Sequence, residues 1–290
     1  MDTQQLSAFI AVAEYGSFTR AADHLHLTQP AISKRIQLLE SHLRNSLFDR
    51  IGKRIKLTEA GRVLLPHAHR ILREIEDTGI ALQNLSEAVG GRLTLASSHH
   101  VGLHRLPPVL KQYSAQYPDV TMDISFLDSE KAYEQVRHGG LELAVVTLSI
   151  QDVDRVVSRM LWRDELCVMS ASTHPLSTYK RIRLEDLLDF PVILPGENTF
   201  TRMLIEDVFH AAGLNLEVEM STNYLETIKM MVSVGMAWSI LPRTMYDKTL
   251  RILKIRGLQL ERKLGYIYHR EHTLSNAAKA FITTIKQYSS

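Results

Sequence analysis

Three short apolar stripes open the chain at helical spacing. Leu6, Phe9, Ile10 and Ala13 recur at i, i+3, i+4 and i+7. After Gly16 the same spacing returns as Phe18, Ala21, Ala22 and Leu25, with Ser17 placed to cap a second helix. A third predicted helix starts after Thr28, carries Pro30 in its first turn, where a missing N–H costs nothing, and has the stripe Ile32, Ile36, Leu39, Leu43. At ~100° per residue, Ser33, Gln37, Pro30 and Lys34 fall at about 100°, 140°, 160° and 200° from Ile32, opposite that stripe. A helix-turn-helix whose third helix enters a major groove has this pattern, and so does a small helical bundle with a solvated polar face.

Downstream, LFDRIGKRIKL holds two short β-prone stretches around Gly52-Lys53, a turn signal crowded by Arg50, Lys53, Arg54 and Lys56. A basic run is often only a solvated surface; its place directly after the third helix favours a β-hairpin wing. From Thr58 to about Glu87 a long helix is expected, because Leu64, Ala68, Ile71, Ile75, Thr78, Leu82 and Leu85 recur at alternating steps of 4 and 3. So narrow a seam favours a partner helix over packing on its own domain. Pro66 is expected to kink this helix, and Gly90-Gly91 to end it and act as a hinge.

Beyond that hinge the texture alternates between β and α. Strand-like Leu93–Ala96, Val120–Leu127 and Leu141–Thr147 alternate with helix-like Leu106–Tyr117 and Ser129–His138. A second series follows: strands at Pro191–Leu194, Leu216–Met220 and Trp238–Leu241, with helices at Thr201–Ala212 and Asn223–Val234. Two βαβ-rich halves imply a crevice between them, where helix amino termini hold a small ligand.

Composition narrows the class. A chain of 290 residues that is 45% hydrophobic is large enough for two domains. The single cysteine, Cys167, leaves no intramolecular disulfide or multi-cysteine metal site and fits a reducing cytoplasm. No apolar run approaches ~18 residues, and the start MDTQQL has no Lys or Arg, so neither a membrane span nor a secretory signal is expected. The net charge of +2 is unevenly spread: Lys34–Lys56 has seven Lys/Arg against two acids, while residues 91–290 hold 23 against 22. That points to one polyanion-binding module joined to a near-neutral one.

Taken together, SFTRAADHLHLTQPAISKRIQLLESHL (17–43), LFDR (47–50) and LTEAG (57–61) resemble the LysR-type transcriptional regulators. Weaker similarities run through LPPVL (106–110), GGLELAVV (139–146), HPL (174–176) and VGMAWSILP (234–242). The resemblance implies an α/β chain with an all-α-rich N-terminal domain: a winged helix-turn-helix at 1–58, a linker (dimerisation) helix at 59–89, and a type 2 periplasmic-binding-protein-like effector domain at 90–290. Subdomain I would be about 91–161 plus 267–290, and subdomain II about 162–266. Two positions depart from the family pattern. Arg44 stands where glycine usually ends the third helix, so Asn45 is expected to take the left-handed conformation, and Glu142 replaces a more usual aspartate.

By the same resemblance, Thr28, Gln29, Pro30, Ser33, Lys34 and Arg35 form the DNA-reading surface, with Arg50, Lys53 and Arg54 of the wing meeting phosphates or the minor groove. The effector site would comprise Ser98, His99, His100, Thr147, Pro195, Gly196 and Thr199, in an arrangement suited to a small anion, with no cofactor and no resident metal. Helix capping or loop solvation would explain each of these residues as well. Implied partners are double-stranded DNA, a small-molecule effector, RNA polymerase, and further copies of the chain as a linker-helix dimer and a tetramer.

Two other functions compete. The cluster His99, His100, His104 raises a metalloenzyme, since the 100/104 pair shares a helix face; no carboxylate or cysteine lies nearby in sequence to complete the site. An architectural DNA binder without a ligand would leave the large α/β part unexplained. HExxH, nucleophile-elbow and P-loop motifs are absent from the sequence.

Overall fold

The computed structural model describes residues 1–51, 54–86 and 88–289, with backbone alone at 50, 51 and 54. It divides into two compact units, Met1–Ser86 and Glu87–Ser290.

In the first unit, α1 (Thr3–Tyr15), α2 (Phe18–His24) and α3 (Gln29–Leu43) precede an antiparallel hairpin of β1 (Phe48–Ile51) and β2 (Arg54–Leu57), then the long helix α4 (Glu59–Gln83). Caps set these starts: the hydroxyls of Ser17, Thr28 and Thr58 accept from the N–H groups of Arg20, Ala31 and Gly61. The three helices meet in one core of Leu6, Phe9, Val12, Phe18, Ala21, Ile32, Ile36 and Leu39, closed by Leu47 and Ala68; Val12 takes the buried place expected of Ala13. Each large side chain there contributes about 1.5–3 kcal/mol by leaving water.

Two expectations need correction. Arg44 itself, not Asn45, takes the left-handed conformation (φ 53°), while Asn45 donates its backbone N–H to Glu40 O (3.2 Å) and its side-chain amide to Leu43 O (2.9 Å). These bonds hold the turn one residue earlier than expected, against a steric cost of about 1–2 kcal/mol at Arg44. The long helix stops at Gln83, where tighter i→i+3 bonds from Leu85 to Leu82 and Ser86 to Gln83 unwind it. Gly91 (φ +87°) does not end that helix; it opens the first strand of the second unit.

The heptad seam on α4 divides in two. Ala68 is buried and Leu64 and Ile71 pack on the unit's own core, whereas Ile75 and Leu82 are 53% and 64% exposed in the single chain, and Leu85, beyond the end of α4, is 81% exposed.

The second unit begins with β3 (Gly91–Ser97), α5 (His99–His104), α6 (Leu106–Gln116), β4 (Val120–Phe126), α7 (Ser129–His138), β5 (Leu143–Thr147) and the sixteen-residue β6 (Val156–Ala171). It continues with β7 (Ile193–Leu194), α8 (Phe200–Ala211), β8 (Met220–Ser221), α9 (Leu225–Ser233), β9 (Ser239–Pro242), β10 (Leu250–Ile252), β11 (Leu260–His269) and α10 (Asn276–Lys286). The main sheet runs β10-β6-β11-β5-β3-β4, with β9 also on β6, while β7 and β8 pair apart. One half gathers β3–β5 with α5, α6 and α10 around Leu95, Val109, Tyr113 and Phe281, and α7 packs on the sheet through Ala132, Tyr133 and Val136. The other gathers α8, α9 and β7–β9 around Ile205, Phe209, Trp238 and Ile240.

Only β6 and β11 serve both halves among the described residues. The start of β6 pairs with the end of β11, which also pairs with β5; the end of β6 pairs with β9 and β10. The mixed α/β architecture with two halves is that of the expected periplasmic-binding-protein-like fold.

Candidate functional site

In the first unit, α3 buries Ile32, Ile36 and Leu39, which turns Thr28, Gln29, Pro30, Lys34 and Gln37 outward, with Ser33 half-buried beside them. The turn before α3 is tight because His26 adopts φ 53° and Leu27 N–H reaches Ala22 O at 2.9 Å. Gln29 donates its amide to Ser33 Oγ at 2.9 Å, ordering two polar residues of the exposed arc. Arg35 instead donates to Gln4 Oε1 on α1 at 2.8 Å, so its guanidinium is tied back within the unit. Lys53 lies outside the described residues, as do the side chains of Arg50 and Arg54. The hairpin is braced at its base, where Leu47 N–H donates to Glu40 Oε1 (2.7 Å) and the Thr58 hydroxyl to Ser46 O (2.7 Å).

In the second unit, Ser98, His99, His100, Thr147, Pro195 and Thr199 line one crevice. Gly196 stands beside it, donating its N–H to Asn223 Oδ1 at 2.9 Å. The Thr199 hydroxyl is engaged in capping α8, donating to Gly196 O (2.8 Å) and accepting from Arg202 N–H (3.2 Å). Ser98 precedes α5, yet its Oγ makes no capping bond and is buried without a hydrogen-bond partner among the described residues.

Polar residues absent from the sequence-based site add to the lining: Asp128, Ser129, Glu130, Thr201, Asn223 and Arg262. Arg262 is buried on β11, where Nε donates to Asp164 Oδ2 (2.8 Å) and Nη1 to Thr201 Oγ1 (3.0 Å). Its Nη2 has no partner among the described residues. Burial lowers the Arg262 pKa and the Asp164 carboxylate opposes that effect. One signal was available in sequence: alternation along Leu260-x-Arg262-x-Leu264 puts a guanidinium on the inward face of a strand.

Glu130, in the first turn of α7, accepts the Phe200 N–H at 2.6 Å, so a carboxylate from one half already sits on the first turn of α8 in the other. Burial raises its pKa. His100 is only 5% exposed, and burial, followed by the cationic neighbour Arg262, lowers its pKa to about 2. Its imidazole is therefore neutral at physiological pH. The His100 and His104 rings lie 4.6 Å apart, and Glu226 from α9 brings an oxygen to 3.1 Å from His104 Nε2. The carboxylate missing from the local sequence thus arrives from 122 residues away.

No helix among the described residues is long and apolar enough to cross a membrane. Residues 3–62 match the profile of a bacterial regulatory helix-turn-helix protein of the lysR family, and residues 86–290 that of a LysR substrate binding domain. An uncharacterized HTH-type transcriptional regulator of Azotobacter vinelandii is 65% identical over 108 residues, 37% of this chain and 75% of that protein. A probable RuBisCO transcriptional regulator of Synechocystis is 31% identical over 97% of this chain and 84% of its own length.

Among solved structures, full-length OxyR from Pseudomonas aeruginosa aligns over 100% of this chain and 94% of its own, with TM-score 0.69 at 20% identity. CbnR, a LysR family transcriptional regulator, aligns over the whole of both chains with TM-score 0.65 at 21% identity. At those identities the structural likeness speaks to the fold, while the matched profiles and the relatives name the lineage. The chain belongs to the LysR family of transcriptional regulators, proteins with a helix-turn-helix DNA-binding domain and an effector-binding domain rather than enzymes.

Proposed function

We propose that this chain is a ligand-gated regulator that reads operator DNA with α3 and senses a small anionic metabolite in the crevice of its second unit. The observation that carries the reading is the pair of unpartnered buried groups in that crevice, Ser98 Oγ and Arg262 Nη2. A hydroxyl and a guanidinium edge are what a carboxylate or phosphate oxygen takes up. Asp128 and Glu130 on the same lining favour a ligand that also offers donors, such as a hydroxylated acid. A structural relative, the effector-binding domain of QuiR, is in complex with shikimate, which has that chemistry.

On DNA, Thr28, Gln29, Pro30, Ser33 and Lys34 face base edges in this reading, while Arg35, tied to Gln4, positions α3 on the backbone. Arg50, Lys53 and Arg54 act as a phosphate-binding wing. CbnR, similar in fold, is known in complex with its target DNA. The exposed half of the α4 seam pairs two chains, dimers associate into tetramers, and the assembly acts on RNA polymerase in the cytoplasm. The effector must bind one arrangement of subunits more tightly than the other, since a ligand with equal affinity for both shifts nothing.

Two variants separate the roles. A thermal-shift screen of hydroxy acids and phosphorylated metabolites on the full-length protein identifies the ligand, and calorimetry measures it. Ser98→Ala is expected to weaken it by about 1–3 kcal/mol while leaving ligand-free operator binding intact. Lys34→Ala is expected to leave ligand affinity intact and to weaken operator binding more than binding to random DNA. Unchanged ligand affinity in the Ser98 variant, or equal losses on both DNAs in the Lys34 variant, would overturn the corresponding assignment.

A further inference from the structure

Within the effector unit, His100 lines the crevice and also belongs to a cluster whose other members, His104 and Glu226, an anion site does not account for. His100 and His104 are four residues apart on α5 and therefore share a face. Glu226, in the first turn of α9, meets them there, and one ligand atom from each of the three lies within 4.8 Å of the others. The contact between His104 and Glu226 is by itself an ordinary ion pair between half-exposed groups. His100 is different, because it is buried and neither Nδ1 nor Nε2 has a hydrogen-bond partner among the described residues. Buried imidazoles nearly always satisfy at least one nitrogen. Here both are unpaired beside a second imidazole and a carboxylate.

We propose that His100, His104 and Glu226 bind a divalent transition-metal ion of the zinc class. Two imidazole nitrogens and one carboxylate oxygen are a donor set that suits zinc and its neighbours, whereas magnesium and calcium take all-oxygen sets. Three protein ligands leave a further coordination position for water or another small donor. Local charge by itself opposes a cation, because the Arg262 and Arg105 guanidiniums lie beside the cluster, so the imidazole donors must supply the affinity. Asp164, 3.7 Å from His100 Nε2, is already shared by Arg262 (2.8 Å) and Arg105 (3.9 Å), so Glu226 is the carboxylate left to face a cation. A hard ion held by charge alone gains little there, while a softer one gains from the imidazole nitrogens.

The ion links the two halves of the effector unit, since α5 packs with β5 in one half and α9 with β6 and β9 in the other. Binding therefore raises the thermal stability of the folded unit.

The test uses full-length protein stripped with chelator and dialysed. Calorimetric titration with zinc chloride is expected to give one ion per chain and a higher melting temperature, and magnesium chloride to give neither. Cobalt chloride is expected to produce the visible absorption of a low-symmetry site with nitrogen ligands. Glu226→Gln, which keeps shape and a hydrogen bond to His104, and His104→Ala, at a half-exposed position, are each expected to weaken zinc by about tenfold or more while the apoprotein melts normally. Zinc affinity and cobalt spectrum unchanged in the double variant would place any metal elsewhere and overturn the proposal. So would the absence of zinc heat and melting shift in the wild type.

Discussion

Glu130 on α7 and the backbone N–H of Phe200 on α8 are joined by a 2.6 Å hydrogen bond across the crevice. The carboxylate fills the place that the N–H groups on the first turn of α8 offer to an anion. Glu130→Ala should therefore free that amide at a cost of about 1–3 kcal/mol of stability. The same variant is expected to bind phosphate or acetate in the crevice more tightly than wild type does. Denaturant melts and anion titration by calorimetry check both signs; loss of anion binding together with stability would show that Glu130 supports the pocket instead of competing for it.

The junction of hairpin and α4 depends on one missing side chain. A Cβ at Gly61 would stand 2.3 Å from Leu47 O and 2.8 Å from Leu57 Cδ2, and backbone cannot yield as a side-chain tip can. Gly61→Ala gains up to about 1 kcal/mol of helix propensity, but overpacking costs about 1–3 kcal/mol, so destabilisation is expected. A denaturation midpoint at or above wild type would contradict the contact.

Association is best probed where α4 is exposed. Leu82→Glu is expected to turn dimers into monomers in light scattering while the chain stays folded, because Leu82 is 64% exposed in the single chain. Ile71→Glu is a poorer test, since Ile71 packs on its own unit's core and its loss unfolds that core as well. Normal mass for the Leu82 variant would exclude this half of the seam as the dimer contact.

Acidification should loosen the second unit through His174. Its Nδ1 accepts the Leu176 N–H at 3.2 Å, and burial lowers its pKa from 6.5. The unfolded chain takes up the proton first, so this contribution is whole above about pH 6.5 and is lost progressively as pH falls below it. His174→Asn keeps a capping acceptor without the titration. It is expected to flatten the decline in melting temperature in that window, leaving the part due to His100, whose pKa is lowered in the same direction.

Much of the first unit was legible because its information is local. Stripes at Leu6, Phe18 and Ile32 and caps at Ser17 and Thr28 lie within a few residues of what they specify. The strands β6 and β11 were not read, because Arg159, Arg163, Asp164 and Glu165 interrupt any apolar run in the first, and Glu261, Arg262 and Lys263 in the second. Their pairing compensates for what their composition lacks. The crevice divides the same way: Ser98 follows a strand and precedes a helix, a recognisable place for a ligand, whereas Arg262 and Glu226 reach their sites only through tertiary folding.

The two strands shared by both halves also set how firmly those halves are joined. Near their middle the β6–β11 register shifts between Leu264 and Gly265, and a Cβ at Gly265 would collide with Arg159 O at 2.1 Å. A bulge of this kind concentrates twist at one point of a hydrogen-bonded ribbon. The two halves are therefore joined through a hydrogen-bonded ribbon with its irregularity at Gly265, not through a slack tether. Because main-chain hydrogen bonds hold that ribbon, the side chains that line the crevice can differ while the frame beneath them stays the same.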